Sequence, residues 1–305
     1  MKTLIKSMLF AVSLSLLSTA AIADETLLKP FVLASKGPGT VAEKAAAAKK
    51  ELTANGFTIA GEYSPYPGAD IVVVTSDELK NNAAQSKHGG FGAIQRVAIT
   101  KVKDEIQVSY TNPVYMANAY RMKGDLQDVA AKLQKALGKV EEFGAQGLTA
   151  EQLRKYHYMF GMEYFTDPSF LAVYDNHEEA LNAVEKGLAS NKVGVSKVYR
   201  VDVPGTEESV FGVGMKAPTD ADKNMDDKYI MSEIDFKDLK STAHLPYEIL
   251  VSGNKIYALY ARFRIAIDFP DLSMMGDHSF MHIMGSPEAI RKALQKVVAK
   301  PLPTS

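Results

Sequence analysis

The sequence predicts an α+β fold of two tandem β-α-β4-α units, each an antiparallel sheet with its helices gathered on one face, joined by a connector helix. Two observations carry this. The same succession of apolar strand, capped helix, hairpin and closing helix occurs twice along the 305 residues, and the hairpin strands alternate with a period of two rather than a helical period.

The first segment reads as a leader. Lys2 and Lys6 precede a mostly apolar run, Met8 to Leu17, and Ala21-Ile22-Ala23 offers small residues for cleavage, so residues 1–23 form a signal peptide and the mature chain begins at Asp24. The run falls short of the ~20 apolar residues that span a bilayer. Cleavage would remove Lys2 and Lys6 and leave the mature chain slightly more acidic than the formal charge of -1 of the whole sequence. The expected location is the periplasm or the outside of the cell.

The first unit occupies residues 24–140. After an apolar strand, Thr40 and Glu43 make a capping-box pattern before Val41, Ala45, Ala48 and Leu52, which share one helical face and stop at Asn55-Gly56. Strands follow at Phe57 to Tyr63 and Ala69 to Thr75. Val97 to Tyr110 reads as a hairpin turning at Lys103-Asp104, and Asp125 leads into a closing helix through Leu126, Val129, Leu133 and Leu137. In the connector, residues 141–168, Thr149 and Gln152 form another capping-box pattern for a helix near Glu151 to Met162.

The second unit, residues 169–300, repeats these signals in the same order. Asn176 and Glu179 take the places of Thr40 and Glu43, ahead of Leu181, Val184 and Leu188. The hairpin Tyr247 to Tyr260, turning at Gly253-Asn254, answers Val97 to Tyr110, and Ser286-Pro287-Glu288 opens the last helix, with Ile290, Leu294 and Val297, where Asp125 opens its counterpart. The spacing between matching signals widens twice along the chain. The first widening is assigned to a solvated loop at Ala217 to Lys228, the second to an insertion between Tyr260 and Ser286. Pro301 to Ser305 forms a frayed tail.

The first unit, from Val41 through Gly56-Phe57 to Tyr110-Thr111-Asn112-Pro113, resembles the bacterial family catalogued as domain of unknown function 302 over roughly Phe31 to Gly138. That resemblance implies a compact β-α-β4-α fold of the TATA-binding-protein-like kind; the family has no settled activity, so the resemblance supplies a fold and not a mechanism. The second unit departs from the pattern, with Tyr260-Ala261-Arg262-Phe263 in place of the Tyr-x-Asn-Pro turn.

Composition excludes several functions. With no cysteine, the chain has no disulfide, thiolate metal site, nucleophilic thiol or covalent haem attachment. A near-neutral charge lacks the basic footprint of a nucleic-acid binder. Hydrophobic residues make up 46% of the chain, enough for a packed core, and no later segment is apolar for long enough to cross a membrane. The glycine-rich stretches Lys36 to Gly39 and His88 to Gly92 lack a phosphate-loop lysine and hydroxyl and read as turns. The acidic run Asp220, Asp222, Asp226, Asp227 lacks calcium-loop spacing and reads as a solvated loop.

Three clusters remain as candidate sites. The insertion carries Met274, Met275, His278, Met281, His282 and Met284, an unusual density of methionine and histidine for so short a stretch. On a helix, Met274, His278, Met281 and His282 would share a face, and thioether with imidazole suits Cu(I). The simpler reading is that Met274, Met281 and Met284 pack the insertion against the sheet, with the histidines at its edge. In the first unit, Tyr110, Tyr115, Met116, Tyr120 and Met122 mark either a ligand pocket or a hydrophobic lid. The connector offers Tyr156, His157, Tyr158, Met159, Met162 and Tyr164, suited to a non-covalent haem or aromatic ligand, or to an interdomain seam.

Together these point to an exported protein that binds a small ligand or a soft metal such as copper. The alternative is a structural module with an envelope protein as partner. A hydrolase-type enzyme comes third and requires His88, His157 or His278 to meet a carboxylate.

Overall fold

The structure, a computed structural model, describes residues 26–191 and 193–300; the signal peptide and the tail expected from the sequence lie outside the described residues. The first unit runs β1 (Phe31–Gly37), α1 (Val41–Ala54), β2 (Thr58–Tyr66), β3 (Ala69–Thr75), α2 (Asp77–Ala84), β4 (Gln95–Val102), β5 (Glu105–Thr111), α3 (Pro113–Ala119), α4 (Gln127–Leu137) and a short β6 (Glu141–Phe143). The connector holds α5 (Ala150–Arg154). The second unit runs β7 (Ser169–Val173), α6 (His177–Ser190), β8 (Val195–Val203), β9 (Glu208–Met215), α7 (Asp227–Ile234), β10 (Tyr247–Ser252), β11 (Lys255–Ala258), α8 (Ala261–Asp268) and α9 (Ser286–Val297).

Both sheets are antiparallel. The order β2-β3-β4-β5-β1 of the first recurs as β8-β9-β10-β11-β7 in the second, and β6 adds a sixth strand beside β1. The expected hairpins turn where the sequence placed them: Val102 pairs with Glu105, and Ser252 with Lys255. The expected capping boxes of α1 and α5 form, and Asn176 caps α6 by accepting from the Glu179 amide. In α1, Ala45, Ala48 and Leu52 are the buried stripe facing the sheet, as their helical spacing requires.

Four short helices were not foreseen. α2 and α7 follow the third strand of their units, and α3 and α8 follow the hairpins. The stretch Ala217 to Lys228 is also not a solvated loop. It contains a 3-10 turn, Asp220–Met225, that buries Met225, and Asp226 caps α7 while Asp227 is wholly buried. The connector helix ends at Arg154 instead of reaching Met162. Only Leu153 of α5 is buried, and the Tyr156-His157-Tyr158 run that follows has weak helix propensity.

The sheet faces away from α1, α4, α6 and α9 turn toward the other unit, and there the backbones come close. A Cβ on Gly61 of β2 would stand 2.4 Å from the Val198 carbonyl of β8, and one on Gly214 of β9 would stand 2.4 Å from the Tyr63 ring. Glycine at these two positions is a steric condition of the seam.

Candidate functional site

Helix α8 lies between the units, and its helical spacing divides its side chains between two environments. Every residue except Arg262 is buried. Two tyrosines from outside the helix satisfy carbonyls in its last turn: Tyr115 donates to Ile267 O at 2.6 Å and Tyr156 to Ala266 O at 3.0 Å.

One side of α8 enters a buried charge network. Arg96 of β4 donates from Nη1 to Glu248 Oε1 of β10 at 2.7 Å, Arg264 of α8 donates to the other carboxylate oxygen, and Tyr199 donates to Oε1 at 3.3 Å. Arg264 also donates to the carbonyls of Pro246 and His244. One helical turn on, Asp268 bonds His244 Nδ1 at 2.6 Å, and Tyr247 OH lies 3.1 Å from Nε2. Burial pushes His244 down to about 4, which keeps it neutral at ordinary pH. Two guanidinium groups then balance two carboxylates in a site closed to solvent. His244, Asp268 and Tyr247 resemble a catalytic relay in their contacts. With His244 and Asp268 fully buried, however, the arrangement is an internal brace of the second unit, and it is the Arg96–Glu248 pair beside it that locks the two units together.

A second lock sits at α7. Asp227 accepts from Tyr63 OH at 2.6 Å across the seam and from the Met215 amide at 2.9 Å. Burial pushes its carboxyl up to about 7, against the lowering effect of those two bonds.

The other side of α8 lines a crevice. Arg262, Ile265, Ala266 and Phe269, at helical spacing, face Tyr158 and Met162 of the connector and Leu272, Met274 and Phe280 of the insertion. Arg262 is the one charged residue in this lining. The crevice is narrow: about 30 Å³ of it is wide enough for a water molecule, and the 380 Å³ of space around it includes open solvent. Phe269 and Leu272 also form the wall of a wider cleft, about 420 Å³, between the Glu141–Gln146 segment and the Ile234–Ser241 segment.

The predicted site residues distribute unevenly. Tyr110, Tyr115, Met116, Tyr120 and Met122 are at most 3% exposed, so they form core and seam; Tyr120 stacks on Phe165. His157 bonds the Met159 carbonyl and packs on Tyr164, and Met159 is 44% exposed, outside the crevice that Tyr158 and Met162 line.

The insertion is not the helix on which a shared Met/His face depended. Positive φ at Gly276 and His278 breaks it, and one 3-10 turn, Phe280–Ile283, remains. Met274 lines the crevice, His278 stacks on Phe236 and His282 bonds Glu233. Met275, Met281 and Met284 are 74%, 48% and 61% exposed, so these three do not pack against the sheet. Among the described residues, no group of three or more histidines and carboxylates converges as a metal site.

The histidines that meet carboxylates are His244 and His282, not His88, His157 or His278. His88 is buried beside Tyr257, and burial lowers its pKa. The network residues Arg96, Glu248, Arg264, His244 and Asp268 were absent from the sequence reading. Their signal was a charge inside an apolar run, as with Glu248 before Ile249-Leu250-Val251 and Arg264 between Phe263 and Ile265.

Comparison of the chain with family models, curated proteins and solved structures finds no match. Among the described residues, no helix is long and apolar enough to cross a membrane.

Proposed function

We propose that this is an exported binding protein that takes a small, largely apolar molecule into the crevice between the connector and α8. The observation that carries the reading is the lining: eight uncharged, mostly apolar side chains and one arginine, drawn from the connector, α8 and the insertion. The leader-like start of the chain supports export. Locked on its opposite side by buried ion pairs, α8 presents a rigid wall. The connector forms the opposite wall, anchored by Tyr156 on the Ala266 carbonyl and by Glu163 on Arg262.

A fluorescent apolar reporter such as N-phenyl-1-naphthylamine tests this. Wild type should bind it saturably. Ala266→Trp, which fills the crevice from the α8 side, should weaken binding at least about tenfold while leaving the circular dichroism unchanged. Equal binding by both proteins, or none by wild type, would overturn the reading.

One observation favours a second reading. The same short insertion carries three exposed thioethers, Met275, Met281 and Met284, and His282, residue types that suit a soft metal such as Cu(I). Cu(I) uptake against a competing chelator, lost in a Met281→Ala, His282→Ala variant, would support it. No uptake by wild type would remove it.

A further inference from the structure

We propose that the ligand of the crevice is an amphiphile with a carboxylate head, and that the connector's Glu163 occupies the place of that head in the resting protein. This rests on the crevice reading above and names its ligand class. Arg262 stands in the apolar lining, and its guanidinium is held by Glu163 through two contacts. Nε donates to Oε2 at 3.2 Å, and Nη2 donates to Oε1. Two parallel N–H···O bonds from a guanidinium fork are how arginine recognises any carboxylate, including one at the end of an alkyl chain.

The same short segment fills the apolar part of the site. Tyr158 and Met162 line the crevice, and Glu163 follows Met162 in sequence, so residues 158–163 supply an apolar body and a carboxylate together. They imitate an amphiphile lying along α8. Their presence explains why so little of the crevice is wide enough for water.

The segment is also built to leave. Two of its own hydrogen bonds are local, from the Met162 amide to Met159 O and between His157 Nδ1 and Met159 O, and Phe160 at its tip is 99% exposed. The Arg262 side chain is 42% exposed and that of Glu163 16%, so water reaches the pair and solvates the guanidinium as Glu163 departs. A ligand carboxylate can take over the fork while its chain replaces Tyr158 and Met162. Charge complementarity therefore selects a carboxylate over a neutral head.

The test uses displacement of N-phenyl-1-naphthylamine from the purified, delipidated protein by dodecanoate and by dodecanol. Wild type, Glu163→Gln and Arg262→Met are compared, with circular dichroism to confirm folding. Removing the internal competitor in Glu163→Gln should tighten dodecanoate about tenfold, and Arg262→Met should weaken it at least about tenfold. Dodecanol, whose chain must displace the same segment, should gain from Glu163→Gln as dodecanoate does but should not weaken in Arg262→Met. If dodecanoate and dodecanol behave alike in all three proteins, the head-group assignment is overturned while the crevice stands as an apolar site. If the reporter and both alkyl compounds fail to bind wild type, the crevice reading falls and this inference with it.

Discussion

The segments between the last strand and the closing helix occupy the same place in the two units but meet opposite fates. In the first unit, α3 and the turn after it are sealed: Tyr115, Met116, Tyr120 and Met122 are at most 3% exposed. In the second, α8 is buried just as deeply, but the longer insertion after it opens outward, with Met275, Met281 and Met284 about half exposed or more. The difference teaches how one architecture separates stability from function. The first segment completes the seam by sending Tyr115 onto α8, and the second uses the α8 so fixed as the wall of a crevice.

The hardest test of this division is the charge network that fixes α8. Glu248→Ala leaves Arg96 and Arg264 buried without their shared carboxylate, and should cost about 3–5 kcal/mol. Because Tyr63 on Asp227 and Tyr115 on the Ile267 carbonyl also join the units, thermal unfolding should remain a single transition at lower temperature. Separate melting of the two units would break the account.

Methionines in the paired segments should behave differently. Met116→Ala in the sealed segment should cost about 2–5 kcal/mol, whereas Met284→Ala, at 61% exposure, should stay within about 0.5 kcal/mol in urea denaturation. Similar costs at both positions would erase the distinction.

The Asp227 lock and the His244 brace should also oppose each other in pH. The Asp227 carboxyl is raised to about 7, so its contribution is fully present below the ordinary carboxylate pKa near 4 and is lost as pH rises through 7. His244 is lowered to about 4, so its contribution is present above the ordinary histidine pKa near 6.5 and is lost as pH falls through 4. Asp227→Asn should therefore shift the slope of stability against pH between 5 and 7 toward greater stability at higher pH, by about 1 kcal/mol per pH unit. An unchanged slope would show that Asp227 is ionised throughout. Tyr115→Phe removes one hydrogen bond to the α8 terminus and should cost about 1 kcal/mol.

The parts legible in the sequence are those set by local rules. Thr40 with Glu43 marks a helix start through its own hydrogen bonds, and the alternation of Ile106, Val108 and Tyr110 marks a strand, though its polar face, Gln107 and Ser109, is buried as well. Helix α2 had a local signal too, since Ser76 caps the Leu79 amide. With eight residues, though, the helix is too short to show a convincing period. What resisted reading depends on contacts distant in the chain. Arg96 and Glu248 are 152 residues apart, and neither announces its partner. The connector failed for a related reason: Tyr158 and Met162 fit a helical spacing, but α8 captures them from an irregular turn. In the insertion the composition is unusual, but Gly276 and His278 break the helix that would have gathered its methionines and histidines.

The most direct test of the crevice is methyl NMR of protein carrying ¹³C-methyl methionine, before and after addition of N-phenyl-1-naphthylamine. Met162 and Met274 line the crevice, so their resonances should shift, while those of the sealed Met116 and Met122 and the outward Met284 stay in place. Shifts confined to Met275, Met281 and Met284, or no shift at Met162 and Met274, would contradict the account.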